Sequence, residues 1–323
     1  MSNLQRPRIG IVGTGAIGGF YGVMLARAGF DVHFLLRSEF AAVSSQGLRV
    51  NSAVHGELRL QPAQAYQAAA DMPPCDWLLV GAKTTSNAAL APLIGQAAAP
   101  GAKVLLLQNG LAVEEGLRPL LPESLHLLGG LCFICAHRSA PGVVEHQSLG
   151  AVNLGYHSGP APDQTARLAI VEEGVGLFRA AGLDSTVMPS LELARWQKLV
   201  WNVPYNGLSV LLNASTRALM ANADSRALIQ AIMQEVLQGA AACGHSLPPG
   251  YADKLLASTD RMPDYWPSMY HDAQLRRPLE LAAIYAAPLA AAALAGCELP
   301  RIEALHQALA FINSRNQQLG AYE

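Results

Sequence analysis

Between Arg8 and Arg37 the chain reads Arg-Ile-Gly-Ile-Val, then Gly-Thr-Gly-Ala-Ile-Gly-Gly, then a helix-forming run, then Val-His-Phe-Leu-Leu-Arg. No other stretch constrains the fold as strongly, because this order predicts a strand, a tight glycine turn, a helix and a second strand. In that arrangement Gly13 allows the turn, Gly15 lets the backbone approach a pyrophosphate, and Gly18 lets the helix pack on the strand. Thr14, Ala16 and Ile17 fill the turn, whose phosphate-facing side is the positive helix N-terminus. G-x-G-x-x-G is a weak signal alone, but the apolar strand before it and the helix after it supply the context of a dinucleotide site.

The end of the second strand bears on which dinucleotide fits. An NAD site places Asp or Glu there to bind the ribose, whereas this chain has Leu36, Arg37 and Ser38. A guanidinium forks onto phosphate oxygens, so Arg37 favours NADP(H). Glu39 is close enough to keep NAD as the alternative, and a solvated loop arginine is the plain reading of Arg37.

A chain of 323 residues with 51% hydrophobic content can fill one large core or two ordinary ones. Its net charge of −2 and lack of Lys/Arg clusters give no footprint for nucleic acid. The most apolar run, Leu281 to Ala295, is too short for a bilayer and contains Pro288, so a buried helix is expected rather than a membrane span. The opening Met1 to Pro7 lacks the apolar centre of a secretory signal, which points to the cytoplasm. Of the five cysteines only Cys132 and Cys135 form a C-x-x-C, and no second pair completes a zinc site. Reduced core thiols and no metal are expected.

Up to residue 188 short apolar strands alternate with helices. Asp76 to Gly81 and Lys103 to Leu107 continue a parallel sheet, and Leu125 to Ile134, Gly142 to Gln147 and Ala151 to Tyr156 read as strands, with a hairpin at Ala140-Pro141-Gly142. From Pro189-Ser190 onward the pattern is helical, with Ser190 as a candidate cap and Glu192 in the first turn. The expected fold is therefore α/β: a Rossmann-type doubly wound sheet over 1–188, which would bind NADP, followed by an all-α domain over 189–323, which would bind substrate and carry the catalysis.

The first long helix of that second region reads Ala-Arg-Trp-Gln-Lys-Leu-Val-Trp-Asn-Val-Pro-Tyr-Asn from Ala194. Lys198, Asn202 and Asn206 recur at i, i+4 and i+8, which stacks them on one face. Among Trp196, Leu199, Val200, Trp201 and Val203, such polar groups are costly to bury unless something polar meets them. A substrate surface is one partner and solvent is the other. Pro204 is expected to interrupt or kink this helix between the two asparagines. Lys83, after an apolar strand, either reaches the cofactor or solvates the strand end. His137 and His146 have no partner spacing that argues for metal or catalysis.

These motifs, taken together, resemble the ketopantoate reductase (2-dehydropantoate 2-reductase) family nearly end to end. The resemblance rests on Gly13-Thr14-Gly15-Ala16-Ile17-Gly18, Lys83-Thr84, Gln108-Asn109-Gly110, Trp196 to Asn202, Ser268-Met269, Arg277 and Glu280. It implies Lys198 as general acid, Glu280 on the substrate hydroxyl, Ser268, Asn202 and Asn206 on the rest of a 2-oxo acid, and Asn109 where nicotinamide meets substrate. The implied activity is NADPH-dependent reduction of 2-dehydropantoate to (R)-pantoate, toward pantothenate and coenzyme A. Where the family often carries Glu-Ile-Asp this chain has Glu280-Leu281-Ala282, and Pro204 and Pro278 also differ, so another branched 2-oxo acid is the alternative substrate. A non-catalytic NADP(H)-binding regulator is the reading from a different class. The apolar helical region leaves room for a homodimer.

Overall fold

The structure is a computed structural model that describes residues 6–320; Met1 to Gln5, on which part of the leader argument rests, lie outside the described residues. The chain divides into two compact units. One comprises the chain up to Gln108 together with Val113–Leu191, and the other Asn109–Ala112 together with Glu192 onward.

The first unit opens with β1 (Arg8–Val12), α1 (Ala16–Arg27), β2 (Asp31–Leu35) and α2 (Phe40–Gln46). Three short strands follow, β3 (Leu48–Ser52), β4 (Gly56–Leu60) and β5 (Gln64–Tyr66), and then β6 (Cys75–Val80), α3 (Asn87–Ala97) and β7 (Ala98–Leu106). The unit closes with α4 (Val113–Leu117), β8 (His126–Ala140), β9 (Val143–Ser158) and α5 (Gln164–Ala180). The nine strands of the described residues form one sheet in the order β4-β3-β9-β8-β7-β6-β1-β2-β5.

The centre of that sheet is parallel and dry. Ile9, Ile11 and Val12 of β1 and Trp77 to Val80 of β6 are fully buried, the continuous apolar runs expected of strands covered on both faces. On one face Phe20, Tyr21, Val23 and Leu25 of α1 join Val171, Val175 and Phe178 of α5 in a single core. Gly174 lets α5 close on the sheet, since a Cβ there would stand 2.7 Å from the Trp77 ring. The Trp77 indole N–H donates to Glu173 at 2.8 Å, and Asp163 caps α5 by accepting from Ala166 N at 2.8 Å.

The strands expected near 76–81 and 103–107 are β6 and β7, and the hairpin at Ala140-Pro141-Gly142 joins β8 to β9 in antiparallel register. The β3–β4 hairpin is an addition to the simple alternating pattern: β3 pairs with β4 antiparallel and with β9 parallel, widening the sheet at one edge.

The second unit is helical: α6 (Leu191–Leu211), α7 (Thr216–Ala221), α8 (Ala223–Ala242), α9 (Tyr251–Arg261) and α10 (Ser268–Gln274). A π-helical turn (Ala282–Ala286) leads into α11 (Ala287–Leu294), and α12 (Pro300–Gly320) completes the unit. Trp196, Val200, Val203, Ile229, Met233, Val236, Ile284, Ile302 and Leu309 fill its core. Glu235 ties α8 to α12 by accepting from Arg301 N and Ile302 N at 2.9 and 3.0 Å, which satisfies two end donors of α12. No helix among the described residues is long and apolar enough to cross a membrane.

The interruption expected at Pro204 does not occur: α6 runs from Leu191 to Leu211 with Pro204 inside it. Proline removes one N–H and crowds one carbonyl, a local penalty that a buried helix can absorb. Here Pro204 is itself buried, and the next turn is held by Tyr285, whose hydroxyl donates to Val203 O at 2.9 Å.

Candidate active site

In the first unit the glycine turn lies at the carboxyl end of β1, beside the carboxyl end of β6 and at the point where the strand order reverses. Ligands of open α/β sheets bind at such a switch point. Gly13 has φ +90, and a Cβ there would stand 2.5 Å from Ala82. A Cβ on Gly18 would overlap Gly13 O and stand 2.9 Å from Ile11 Cγ2. Gly81, which the sequence reading passed over, closes the same contact from β6, its Cβ position being 2.7 Å from Gly18 N.

Gly15 is different. It is the N-cap of α1, and nothing lies within 4 Å of where its Cβ would be. Packing does not explain this glycine, and the open space beside it leaves room for a ligand to approach the backbone closely. Thr14 supports the same conclusion, because it is buried while its Oγ1 has no hydrogen-bond partner, and buried hydroxyls ordinarily find one. Ala16 and Ile17 form the first turn of α1. The turn thus fits a dinucleotide pyrophosphate.

Arg37 is exposed just beyond the end of β2. Glu39 is buried and committed elsewhere: it accepts from Gly142 N at 2.9 Å and pairs with the Arg138 guanidinium. Lys83 is half-buried after β6, and its carbonyl accepts from Ser86 N at 3.0 Å. Gln108 sets the course of this segment. Its amide donates to Ala82 O at 2.8 Å and forms a reciprocal pair with Asn87 at 2.7 and 3.1 Å.

In the second unit, Lys198, Asn202 and Asn206 lie along one face of α6, spanning about 12 Å at the helical rise. Lys198 is half-buried, while Asn202 and Asn206 are 6% and 3% exposed. The stripe is therefore not a solvated surface. Asn206 is satisfied, its Oδ1 accepting from Met269 N at 3.4 Å, which brings the first residue of α10, Ser268, next to it. Asn202 is not satisfied, its Nδ2 being buried without a partner, and leaving such a donor unpaired costs about 1–3 kcal/mol. An acceptor on a bound ligand would remove that penalty.

Glu280 is 4% exposed and immediately precedes Leu281 and the π-helical turn. The approach to it is fixed by Asn313, whose Oδ1 accepts from Leu279 N at 3.0 Å. Asn109 and Gly110 belong to the segment that docks on this turn, since Leu111 N donates to Ala283 O at 2.8 Å. Trp266 and Tyr270, with ring centroids 4.0 Å apart, flank Ser268.

Other sequence candidates have structural partners. His146 Nε2 faces the carbonyls of Ser148 and Leu149 at 3.1 Å, and its Nδ1 lies 2.7 Å from Ser52 Oγ. Cys75, Cys132 and Cys135 are buried, and burial pushes the Cys75 thiol up to about 12. Among the described residues no three His, Cys, Asp or Glu side chains cluster as a metal site.

A Rossmann-type sheet with an open glycine turn, followed by a helical unit bearing a buried polar face, defines an oxidoreductase of the dinucleotide-dependent fold class. The comparisons agree. Residues 9–159 match the family "Ketopantoate reductase PanE/ApbA" and residues 190–313 match "Ketopantoate reductase PanE/ApbA C terminal". The 2-dehydropantoate 2-reductase of Nostoc sp. is 40% identical over 97% of this chain and 98% of its own. The crystal structure of 2-dehydropantoate 2-reductase from Geobacter metallireducens superposes with a TM-score of 0.86 at 42% identity, covering 94% of this chain and 98% of that one. For the Methylococcus capsulatus enzyme the figures are 0.81, 32%, 96% and 98%. The chain belongs to the ketopantoate reductase family.

Proposed function

We propose that this protein reduces 2-dehydropantoate to (R)-pantoate with NADPH, a step toward pantothenate and coenzyme A. One observation carries the reading: on the Lys198, Asn202 and Asn206 face of α6 the lysine is half-buried and both asparagines are buried, and the Asn202 amide donor has no acceptor within the protein.

The residues divide the work by their chemistry. Gly13 to Gly18 and Thr14 Oγ1 would hold the pyrophosphate, with Lys83 beside them, and Arg37 would take the ribose phosphate. The commitment of Glu39 to Gly142 N and Arg138 supports NADP over NAD, because it engages the carboxylate just past the end of β2 that could otherwise bind an unphosphorylated ribose. When bound, the nicotinamide supplies the hydride that reaches the ketone carbon.

Lys198 then gives a proton to the ketone oxygen as the C=O bond becomes C–O–H, and its charge stabilises the alkoxide before transfer is complete. The lysine recovers a proton from solvent. Asn202 and Asn206, with Ser268, orient the 2-oxo acid. Glu280 accepts from the substrate hydroxyl, and Asn109 fixes the approach of substrate and nicotinamide.

Ala282, where the family often carries an acid, supports keeping another branched 2-oxo acid as the second reading. NADPH oxidation by the purified protein across a panel of 2-oxo acids tests both, and no turnover on any of them refutes the reductase. The same reading puts the reaction in the cytoplasm, which cell fractionation tests. It also allows a homodimer, supported by the apolar side chains Leu294 and Phe311, 91% and 70% exposed on the second unit, which sedimentation can check.

A further inference from the structure

The turn after Glu280 is not an ordinary helix start. Its bonds run five residues back, as in Ala287 N–H to Ala282 O, the wider ladder of a π-helix. The next rung would run from residue 288 to Ala283 O, but Pro288 has no N–H to give. Since the Ala287 N–H already goes to Ala282, Ala283 O is left without a donor from its own helix. A segment distant in sequence takes it: Leu111 N donates to Ala283 O at 2.8 Å.

Two further contacts converge here. Gly110, at φ +113, lies so close that a Cβ would stand 2.7 Å from the Ala283 carbonyl. Tyr285, fully buried in the π turn, donates its hydroxyl to Val203 O at 2.9 Å, within the stretch of α6 that separates Asn202 from Asn206. Gly207 makes room for that hydroxyl, since a Cβ would be 2.6 Å from it.

We propose that the π turn Ala282–Ala286, created by Pro288, sets the mutual register of Asn109, Glu280 and the α6 asparagines, with Pro288 and Tyr285 as positioning residues. Pro288 frees the carbonyl that anchors the Asn109 segment. Tyr285 anchors the turn to α6. Glu280 leads directly into it. This inference rests on the proposed reading that Asn109, Glu280 and Asn202 meet the substrate.

Two substitutions test it. Pro288→Ala restores an N–H that competes with Leu111 for Ala283 O, and Tyr285→Phe removes only the hydroxyl. A misplacement of about 1 Å can cost about 100-fold in rate, so kcat of Pro288→Ala should fall about 10- to 100-fold. The melting temperature should hold or rise, because a proline has left a helix. Tyr285→Phe should lose roughly tenfold in kcat/KM for 2-dehydropantoate, with the dissociation constant of NADPH within about twofold of wild type. In a Glu280→Gln background the Tyr285→Phe loss should shrink, because coupled residues are not additive.

Wild-type kcat and KM in both folded variants, or a fully additive double variant, would overturn the positioning role while leaving the reductase intact. Wild-type protein that reduces no 2-oxo acid would overturn the functional reading itself. If Pro288→Ala does not fold, Tyr285→Phe and the double variant decide.

Discussion

Gly15→Ala separates cofactor binding from packing at the glycine turn. The backbone at Gly15, φ −76 and ψ −158, is open to alanine, and the new methyl meets nothing within 4 Å. In the free protein two small effects oppose each other. Replacing glycine lowers the entropy of the unfolded chain and stabilises by about 0.4–1 kcal/mol, whereas alanine is the poorer N-cap by a comparable amount. The melting temperature should therefore stay near wild type.

With cofactor the balance changes, because on the proposed reading the methyl occupies space that the pyrophosphate needs. Forcing a methyl into a filled contact costs about 1–3 kcal/mol, which weakens NADPH binding about 5- to 150-fold. Gly18→Ala provides the contrast, since its Cβ would overlap Gly13 O and press on Ile11. A loss of about 3 kcal/mol there corresponds to a fall of about 6–12 °C in melting temperature. Fluorescence titration with NADPH and thermal melts of both variants form the assay. Unchanged NADPH affinity in Gly15→Ala, or a destabilisation equal to that of Gly18→Ala, would refute the pyrophosphate cradle.

Lys198→Ala removes proton donor and charge together, so turnover should drop by at least about 10²–10⁴-fold while NADPH affinity holds; near-normal turnover would return the α6 face to a packing role. Glu280→Gln should raise KM for 2-dehydropantoate roughly tenfold or more, as expected for loss of a charged hydrogen bond, and a variant saturating at the wild-type concentration would remove Glu280 from the site. Arg37→Ala should weaken NADPH at least about tenfold and leave NADH nearly unchanged; equal losses would make the arginine structural. His146 gives a pH prediction. Burial lowers its pKa, with the neighbouring His55 adding to the effect against the hydrogen bonds that the ring donates to the Ser148 and Leu149 carbonyls. The unfolded chain then takes up the proton first, so stability should be full above the usual histidine value near about 6.5 and decline as pH falls below it. Denaturant melts from pH 7.5 to 5 on wild type and His146→Gln should show a shallower decline in the variant, and parallel curves would count against His146.

The shape of the candidate cofactor turn was legible because its causes are local. A positive φ at Gly13 and open space at Gly15 need no partner more than a few residues away, and a helix displays Lys198, Asn202 and Asn206 on one face by its period alone. The sequence also carried the strand–helix alternation and the hairpin at Pro141-Gly142, since apolar period and turn residues are written into neighbouring positions.

Other features depended on pairings that only the folded chain makes. Glu39 stood open as a ribose ligand until β8 and β9 brought Arg138 and Gly142 to it across about a hundred residues. Pro204 read as an interruption or kink of the helix, yet α6 continues through it, with Tyr285 bonded to the adjacent carbonyl of Val203. Pro288 read as a bar to membrane insertion, and nothing near it in sequence says that the carbonyl it strands will be met by Leu111. A local pattern reports what one element can form, but the fate of an unpaired carbonyl or carboxylate depends on which distant donor the tertiary structure brings within hydrogen-bonding reach.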